Sequence, residues 1–509
     1  MNETCSSVPV PRLHLEVEPV PTLHLEVEPV PTLHLEVEQL ANIEKADNFV
    51  RTLSLMSMAY NNATLSLENK EVIFIKPSKP TPTTILSLST IDNAPENYFF
   101  TESLHVYRSP NHISQNTITP KLEPAKVIKE ALSKALFYYY PLAGKLVRHA
   151  DGKLRIKCTS EGVPFLEATC NRSLSSLDYL DANDIEIVKH FGINLPLQDE
   201  SGNRYPLVFK VTKFICGGFI LAVGVYHCVC DGTGVSQFLR AVAELASGKT
   251  EPSVKPVWER ERLMGTITTN PLQNPMDSAH FAVSPFIPTT DFSHECSKVH
   301  SESITRVKMS LMKESGNKKG FTTFEILSAY IWRARARALK LSYDGETVMT
   351  TVVGVRPHLL DPLPNGYYGN TIVDAHVLIT VRELIERPLV EVVELIRESI
   401  KGAIKNDYIR HSMDAMETPK AVKYNWESGA TTMVTDWRHL GLLKKVDFGW
   451  NEPVNTMPVP SDEYASMGLC SILAPSNLDS SMSGAVRVYS CLPSAAMPNF
   501  KEEMNALNA

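Results

Sequence analysis

A histidine and an aspartate four residues apart, His227 and Asp231, are the pair in this 509-residue chain best placed to move protons. An imidazole titrates near neutrality, so His227 can take a proton from an amine or a hydroxyl without large tuning of its pKa. A carboxylate four residues on can orient the ring or brace the turn that carries it. The HxxxD spacing is weak by itself, and a structural histidine at a strand end is the competing explanation. The flanking residues strengthen the catalytic one. The run FICGGFILAVGVY (214–226) is apolar and shorter than a membrane span, and its β-branched residues and glycines suit a buried strand. Beyond Gly232-Thr233-Gly234 the pattern predicts a helix from near Ser236 to Gly248, with Phe238, Leu239, Val242, Leu245 and Ala246 on one face. His227 thus falls where a rigid strand gives way to a tight turn. Metal ligation by His227, Cys228, Cys230 and Asp231 is disfavoured, because the CxC lacks a second ligand pair.

A second feature lies far downstream, at Asp447-Phe448-Gly449-Trp450 followed by Asn451-Glu452-Pro453. Taken alone it is a structured packing loop whose carboxylate needs a partner. Between and around these motifs the elements alternate. EVIFIKPSKPTP (71–82) reads as a strand and a proline-rich turn, and PAKVIKEALSKALFYYYPLAG (124–144) as an amphipathic helix closed by Pro141 and Gly144. GKLVRHADGKLRIKC (144–158) reads as a hairpin turning at Asp151-Gly152. A capping box, Thr322 with Glu325, opens the helix that follows. The pattern is mixed α/β. Prolines, asparagines and serines over 251–300 mark a crossover linker, which divides an N-terminal domain (67–250) from a C-terminal one (301–509) of similar size.

The net charge of −7 sits almost wholly in the first 65 residues, where nine acids face three bases. What remains is close to neutral and carries no footprint for nucleic acid or an anionic membrane. The same segment holds three copies of PVPxLHLEVE (9–18, 19–28, 29–38), read as part of an acidic extension over 1–66. Its His14, His24 and His34 make a partner-binding or metal-binding arm the alternative to a solvated one. Nine cysteines without a recurring spacing do not form a disulfide framework. With no basic-apolar leader, the cytoplasm is the expected location.

HxxxDG at 227–232 followed by DFGW at 447–450 resembles the plant BAHD acyltransferase family. YYYPLAGKL (138–146), TTFEILSAYIWRAR (322–335), GVRPHLLDPLPNGYYGN (354–370) and TDWRHLG (435–441) support the likeness, which runs from about residue 70 to the C-terminus. The resemblance implies two chloramphenicol-acetyltransferase-like domains with a channel between them, acting as a monomer. It implies acyl-CoA as co-substrate, no permanently bound cofactor and no metal. It makes His227 the general base and Asp231 mainly an orienter of its loop, and it puts Thr435 and Trp437 near the thioester carbonyl. It gives Asp447 a structural role, paired with Arg356. The family pattern reads DFGWG, and Asn451 stands in the last position here. FKVTKFICGGFIL, KPVWERERL, DFGWNEPVN and FKEEMNAL look most like the spermidine hydroxycinnamoyl-transferase branch, which forms amides. An O-acyltransferase of a bulky alcohol is the alternative within the enzyme class, and an inactive acyl-CoA-binding relative the alternative outside it.

Overall fold

The strand that ends at His227 is apolar on both faces, so it must lie inside a sheet. In the computed structural model, which describes residues 65–109, 123–181, 185–268, 275–316, 320–418 and 428–509, every residue of Phe219–Tyr226 is buried. Leu207–Phe214 and Phe100–Tyr107 flank it, both antiparallel. Among the described residues the sheet has seven strands. Its helical cover comes from Pro124–Tyr138 and Gly232–Ala246, whose apolar faces join one core around Leu132, Leu136, Phe238 and Val242. The expected hairpin is present as Lys145–Arg148 against Leu154–Lys157, with Gly152 at φ +80°.

The helix after the histidine starts at Gly232, four residues earlier than its apolar periodicity suggests. Two glycines and a threonine are poor helix formers. Asp231 overrides them by acting as the N-cap, its Oδ1 accepting from the Gly234 N–H at 2.9 Å. Gly234 also has to be glycine, because a Cβ there would overlap the Tyr368 carbonyl oxygen.

The second half is built on a six-stranded sheet, again counted over the described residues. In the order of the sheet its strands are Phe292–Val299, Val486–Pro493, Leu469–Leu473, Thr431–Asp436, Glu346–Gly354 and Ile372–Thr380. Helix Thr323–Ala338 covers it and opens with the full capping box of Thr322 and Glu325. From it the buried Trp332 indole donates to Thr347 Oγ1. The fold is thus the expected mixed α/β type, two sheet-centred halves with the site cavities between them.

Two strands depart from a simple division at a linker. Phe292–Val299 lies within the 251–300 stretch yet is the edge strand of the second sheet. Asn455–Pro458, from the C-terminal half, pairs antiparallel with Phe100–Tyr107 in the first sheet. The DFGW segment makes that crossing. Tyr107 donates its hydroxyl to the Val446 carbonyl at 3.0 Å, and the Phe448 ring stands edge-on to Tyr107. Trp450 stands edge-on to Phe219 and donates its indole N–H to the Gly217 carbonyl.

The pairing of Asp447 with Arg356 is corrected by this arrangement. Asp447 is exposed, and its Oδ1 caps its own turn by accepting from the Gly449 N–H at 2.7 Å. Arg356 instead donates to the carbonyls of Tyr367 and Gly369, and its nearest carboxylate is Asp231 at 3.9 Å. An Asp two residues before a glycine satisfies its charge locally, so no distant cation is needed.

Asn451 has φ +66°. This is the left-handed region that glycine enters freely and asparagine tolerates, which accounts for both the usual residue and its replacement. Asn451→Gly is therefore expected to shift stability by less than about 1 kcal/mol, whereas the β-branched Asn451→Val costs about 1–2 kcal/mol. Thermal unfolding of the two variants checks this.

Candidate active site

The peptide ladder carries one step past the strand end, where the His227 N–H donates to the Phe99 carbonyl at 2.9 Å. The imidazole lies stacked on the Phe99 ring at 5.0 Å. Its Nδ1 is buried with no partner from another side chain, which leaves Nε2 as the nitrogen available to a ligand. Burial pushes the imidazole below its ordinary value, against the pull of the Asp231 and Asp92 carboxylates. His227 is therefore neutral, and able to accept a proton, at and somewhat below neutral pH.

Asp231 does not touch the ring. While Oδ1 caps the helix, Oδ2 accepts from the Thr371 N–H and from its hydroxyl, each at 3.1 Å. Asp231 is thus a buried brace joining the histidine turn to the second half.

Three residues that nothing local in the sequence marks, Asp92, Asn370 and Arg260, complete the turn. Asp92 is fully buried and accepts from the Ser89 N–H and from both nitrogens of Asn370. It also forms an ion pair with the equally buried Arg260 at 3.3 Å. Asn370 Nδ2 then donates to the His227 carbonyl at 2.8 Å, and Arg260 Nη2 to the Val229 carbonyl at 2.9 Å. Arg260 is held among the rings of Trp258, Tyr367 and Tyr368. Asn370 closes the GYYGN run and Asp92 lies in STIDN, but neither has a local pattern that announces a partner more than a hundred residues away.

Two cavities meet at the histidine. The larger, about 420 Å³, runs past the start of the site helix and Arg356. The smaller, about 280 Å³, runs past Tyr98, Phe99, Met416 and Tyr464. Both are lined by Thr101, His227, Val352, Ile372, Thr435 and Trp437. The structure therefore brings His227, Asp231, Arg356, Thr435 and Trp437 to one place, and leaves the DFGW residues on the first sheet. Thr435 stands at the end of its strand with its hydroxyl 3.2 Å from Ser471 Oγ, a further polar group the sequence did not reveal. The Trp437 amide is spent on the Ile472 carbonyl, so only its indole N–H remains to serve a ligand. Glu102 also lines the larger cavity; burial pushes its carboxyl up to about 7, opposed by the Ile193 N–H and by Lys210.

A rigidly held neutral imidazole, two cavities reaching it from different directions, and hydroxyl and indole donors nearby suit a reaction between two separate substrates with proton transfer. The comparisons agree. A model of the Transferase family matches residues 65–507, so the chain belongs to this family of acyl-CoA-dependent (BAHD) acyltransferases. A spermidine coumaroyl-CoA acyltransferase of Arabidopsis thaliana is 42% identical over 448 residues, covering 86% of this chain and 95% of the relative. A spermidine sinapoyl-CoA acyltransferase of the same plant is 39% identical over 455 residues, covering 87% and 98%. Among solved structures, vinorine synthase superposes with a TM-score of 0.67 at 20% identity, covering 87% of this chain and 98% of that one.

Removing the Asp231 carboxylate strands the Thr371 N–H and uncaps the helix. Asp231→Ala is expected to cost about 2–4 kcal/mol, the sum of a lost cap and a buried donor left unmade. Asp231→Asn should cost less, because one amide oxygen still accepts. Calorimetric unfolding of the two variants tests the brace. In a double-mutant cycle Asp447→Asn and Arg356→Gln should be additive within about 0.5 kcal/mol, as expected for residues without a shared contact.

Proposed function

We propose that this enzyme transfers an aromatic acyl group, such as a hydroxycinnamoyl group, from acyl-CoA to a polyamine of the spermidine class, forming an amide. The observation that carries the reading is the position of His227, with Nδ1 buried and the ring lining both cavities at their junction. The names of the two Arabidopsis relatives support the substrates.

In this reaction a neutral amine nitrogen attacks the thioester carbonyl carbon, and Nε2 of His227 takes its proton. The carbonyl oxygen becomes an oxyanion, for which Thr435 Oγ1 and the Trp437 indole N–H are the donors on offer, with Ser471 Oγ orienting the threonine. The intermediate collapses, the carbon–sulfur bond breaks, and the thiolate takes the proton back from the imidazolium. Asp231 contributes by holding the turn, and Arg356 by fixing the 367–369 carbonyls behind it. No acyl-enzyme is required, because the thioester is already activated.

The protein acts as a cytoplasmic monomer on this reading. No helix among the described residues is long and apolar enough to cross a membrane, and the eight described cysteines are all unpaired. The repeats at 9–38 and the extension over 1–66 lie outside the described residues but for its last two, and the family match begins only at residue 65.

His227→Ala should lower kcat by about 10²–10⁴-fold without loss of folding, as removal of a general base does. A folded variant with near-normal turnover of coumaroyl-CoA and spermidine would overturn the mechanism. The pH profile carries a second expectation. Because burial already keeps His227 neutral at pH 7, a further rise in pH gains nothing at the base. The acceptor, with alkyl ammonium groups that titrate near ~10, gains reactive amine throughout. Spermidine kcat/KM should therefore climb from neutrality toward pH 9 rather than level off near the imidazole value, as an initial-rate pH series would read.

A further inference from the structure

Both cavities that meet at His227 carry acids on their walls, but the larger also has Arg356, and the smaller holds a carboxylate, Asp374, that no side chain among the described residues meets. On strand Ile372–Thr380 the odd-numbered residues Val373, Ala375 and Val377 are buried in apolar cores, while Ile372 and Asp374, which alternate with them, are only partly buried. Ile372 lines both cavities, whereas Asp374 lines only the smaller. Two residues of extended strand cover ~6.6 Å, so Asp374 stands about that far along the strand from Ile372, the residue shared by both cavities.

Among the described residues nothing donates a hydrogen bond to the Asp374 carboxylate or pairs with it. The contact at this residue is made by its backbone, whose carbonyl accepts the Tyr408 hydroxyl at 2.6 Å. Burial alone pushes the Asp374 carboxyl up to about 6, with no cation opposing the shift. Asp374 is half-buried, and a carboxylate shielded in this way without a partner carries a desolvation cost that a bound cation offsets. The walls around it are those of a slot for a methylene chain. Tyr98, Tyr464, Met416, Met433 and Met467 supply soft apolar surface, and Glu96 adds a second acid to the lining. The acids on the wall of the larger cavity are already engaged, Asp231 by the helix start and Thr371, Asp436 by Arg438 and Glu102 by the Ile193 N–H, and the Arg356 guanidinium lies beside them.

We infer that the smaller cavity is the acceptor subsite and that Asp374 is the residue that receives a distal ammonium of a polyamine while a nearer nitrogen of the same molecule sits at His227. The inference rests on the acyltransferase reading above and deepens it. The larger cavity is then left to the acyl-CoA, with Arg356 on its wall to meet an anionic group. Asp374 chooses among amines: a chain with a second charge is held at both ends, and a monoamine only at the reacting one.

The test uses the full chain, coumaroyl-CoA as donor, and two acceptors, spermidine and n-hexylamine, which lacks a second charge. Wild type, Asp374→Asn and Asp374→Glu are compared by steady-state kinetics after calorimetry has confirmed folding. Loss of a charge-assisted contact should raise the spermidine KM of the Asn variant by about tenfold to a hundredfold, with kcat changed far less. Its KM for hexylamine and for coumaroyl-CoA should be unchanged, and the Glu variant should recover much of the spermidine affinity. A folded Asn variant with an unchanged spermidine KM overturns the role of Asp374 while leaving the amine reading intact. An equal loss for spermidine and hexylamine overturns it too, because a general disturbance of the site does not distinguish acceptors. If Asp374→Asn does not fold, the Glu variant decides: wild-type discrimination between the two amines supports the assignment, and its disappearance overturns it. A wild-type enzyme that acylates neither amine, yet acylates an alcohol, overturns the amine reading and this inference with it.

Discussion

Asp92 is a carboxylate placed where no water reaches it, and the site depends on how its oxygens are met. A carboxylate so buried is tolerable only when nearly every lone pair has a partner. Its partners come from three parts of the chain: Ser89 beside it, Arg260 from the segment between the halves, and Asn370 from the second sheet's side. Each of the two distant partners also donates a hydrogen bond to the histidine turn, Asn370 to the His227 carbonyl and Arg260 to the Val229 carbonyl. The backbone that carries His227 is thus fixed by groups that could not be there unless both halves were folded. Removing one partner would leave an uncompensated buried ion, typically at a cost of ~3–5 kcal/mol, so the arrangement is all-or-none.

Asp231 extends the same logic. In a catalytic dyad the carboxylate would bond the imidazole and stabilise its protonated form. Here both oxygens are committed to main-chain N–H groups and the Thr371 hydroxyl. The acid acts on the ring through space alone, and burial outweighs it. The result is an imidazole whose burial favours its neutral form, which suits the proposed reaction, in which it accepts a proton once and returns it to a thiolate.

What was legible in the sequence was what is local. The buried strand before His227, the hairpin at Asp151-Gly152 and the capping box at Thr322 each rest on residues within one element, and each is present. The helix start was misplaced by four residues because propensity disfavours Gly-Thr-Gly, while the deciding bond comes from the Asp231 side chain just ahead of them. Arg356 was paired with the wrong aspartate for a related reason. Sequence shows which charges exist but not which of two acids, Asp231 or Asp447, the fold brings within reach. Nothing local marks Asp92, Asn370 or Asp374, since an acid or amide in a strand or loop looks like any surface one until the distant chain around it is known.

The short strand Asn455–Pro458 has a consequence for how the molecule can be made. It lies at the far end of the chain, yet it closes the edge of the sheet formed by the N-terminal half, beside Phe100–Tyr107. During synthesis that edge stays open until some 350 further residues have left the ribosome, and an open edge invites pairing with other chains. Neither half can therefore be cut out as a self-sufficient module: one would lack its border strand, and the other would carry an orphan one. Exchanging halves between homologous enzymes would succeed only where the donor of the second half also fits the first half's border. The strand works as a clasp, and it makes two sheets inherit, fold and travel as one.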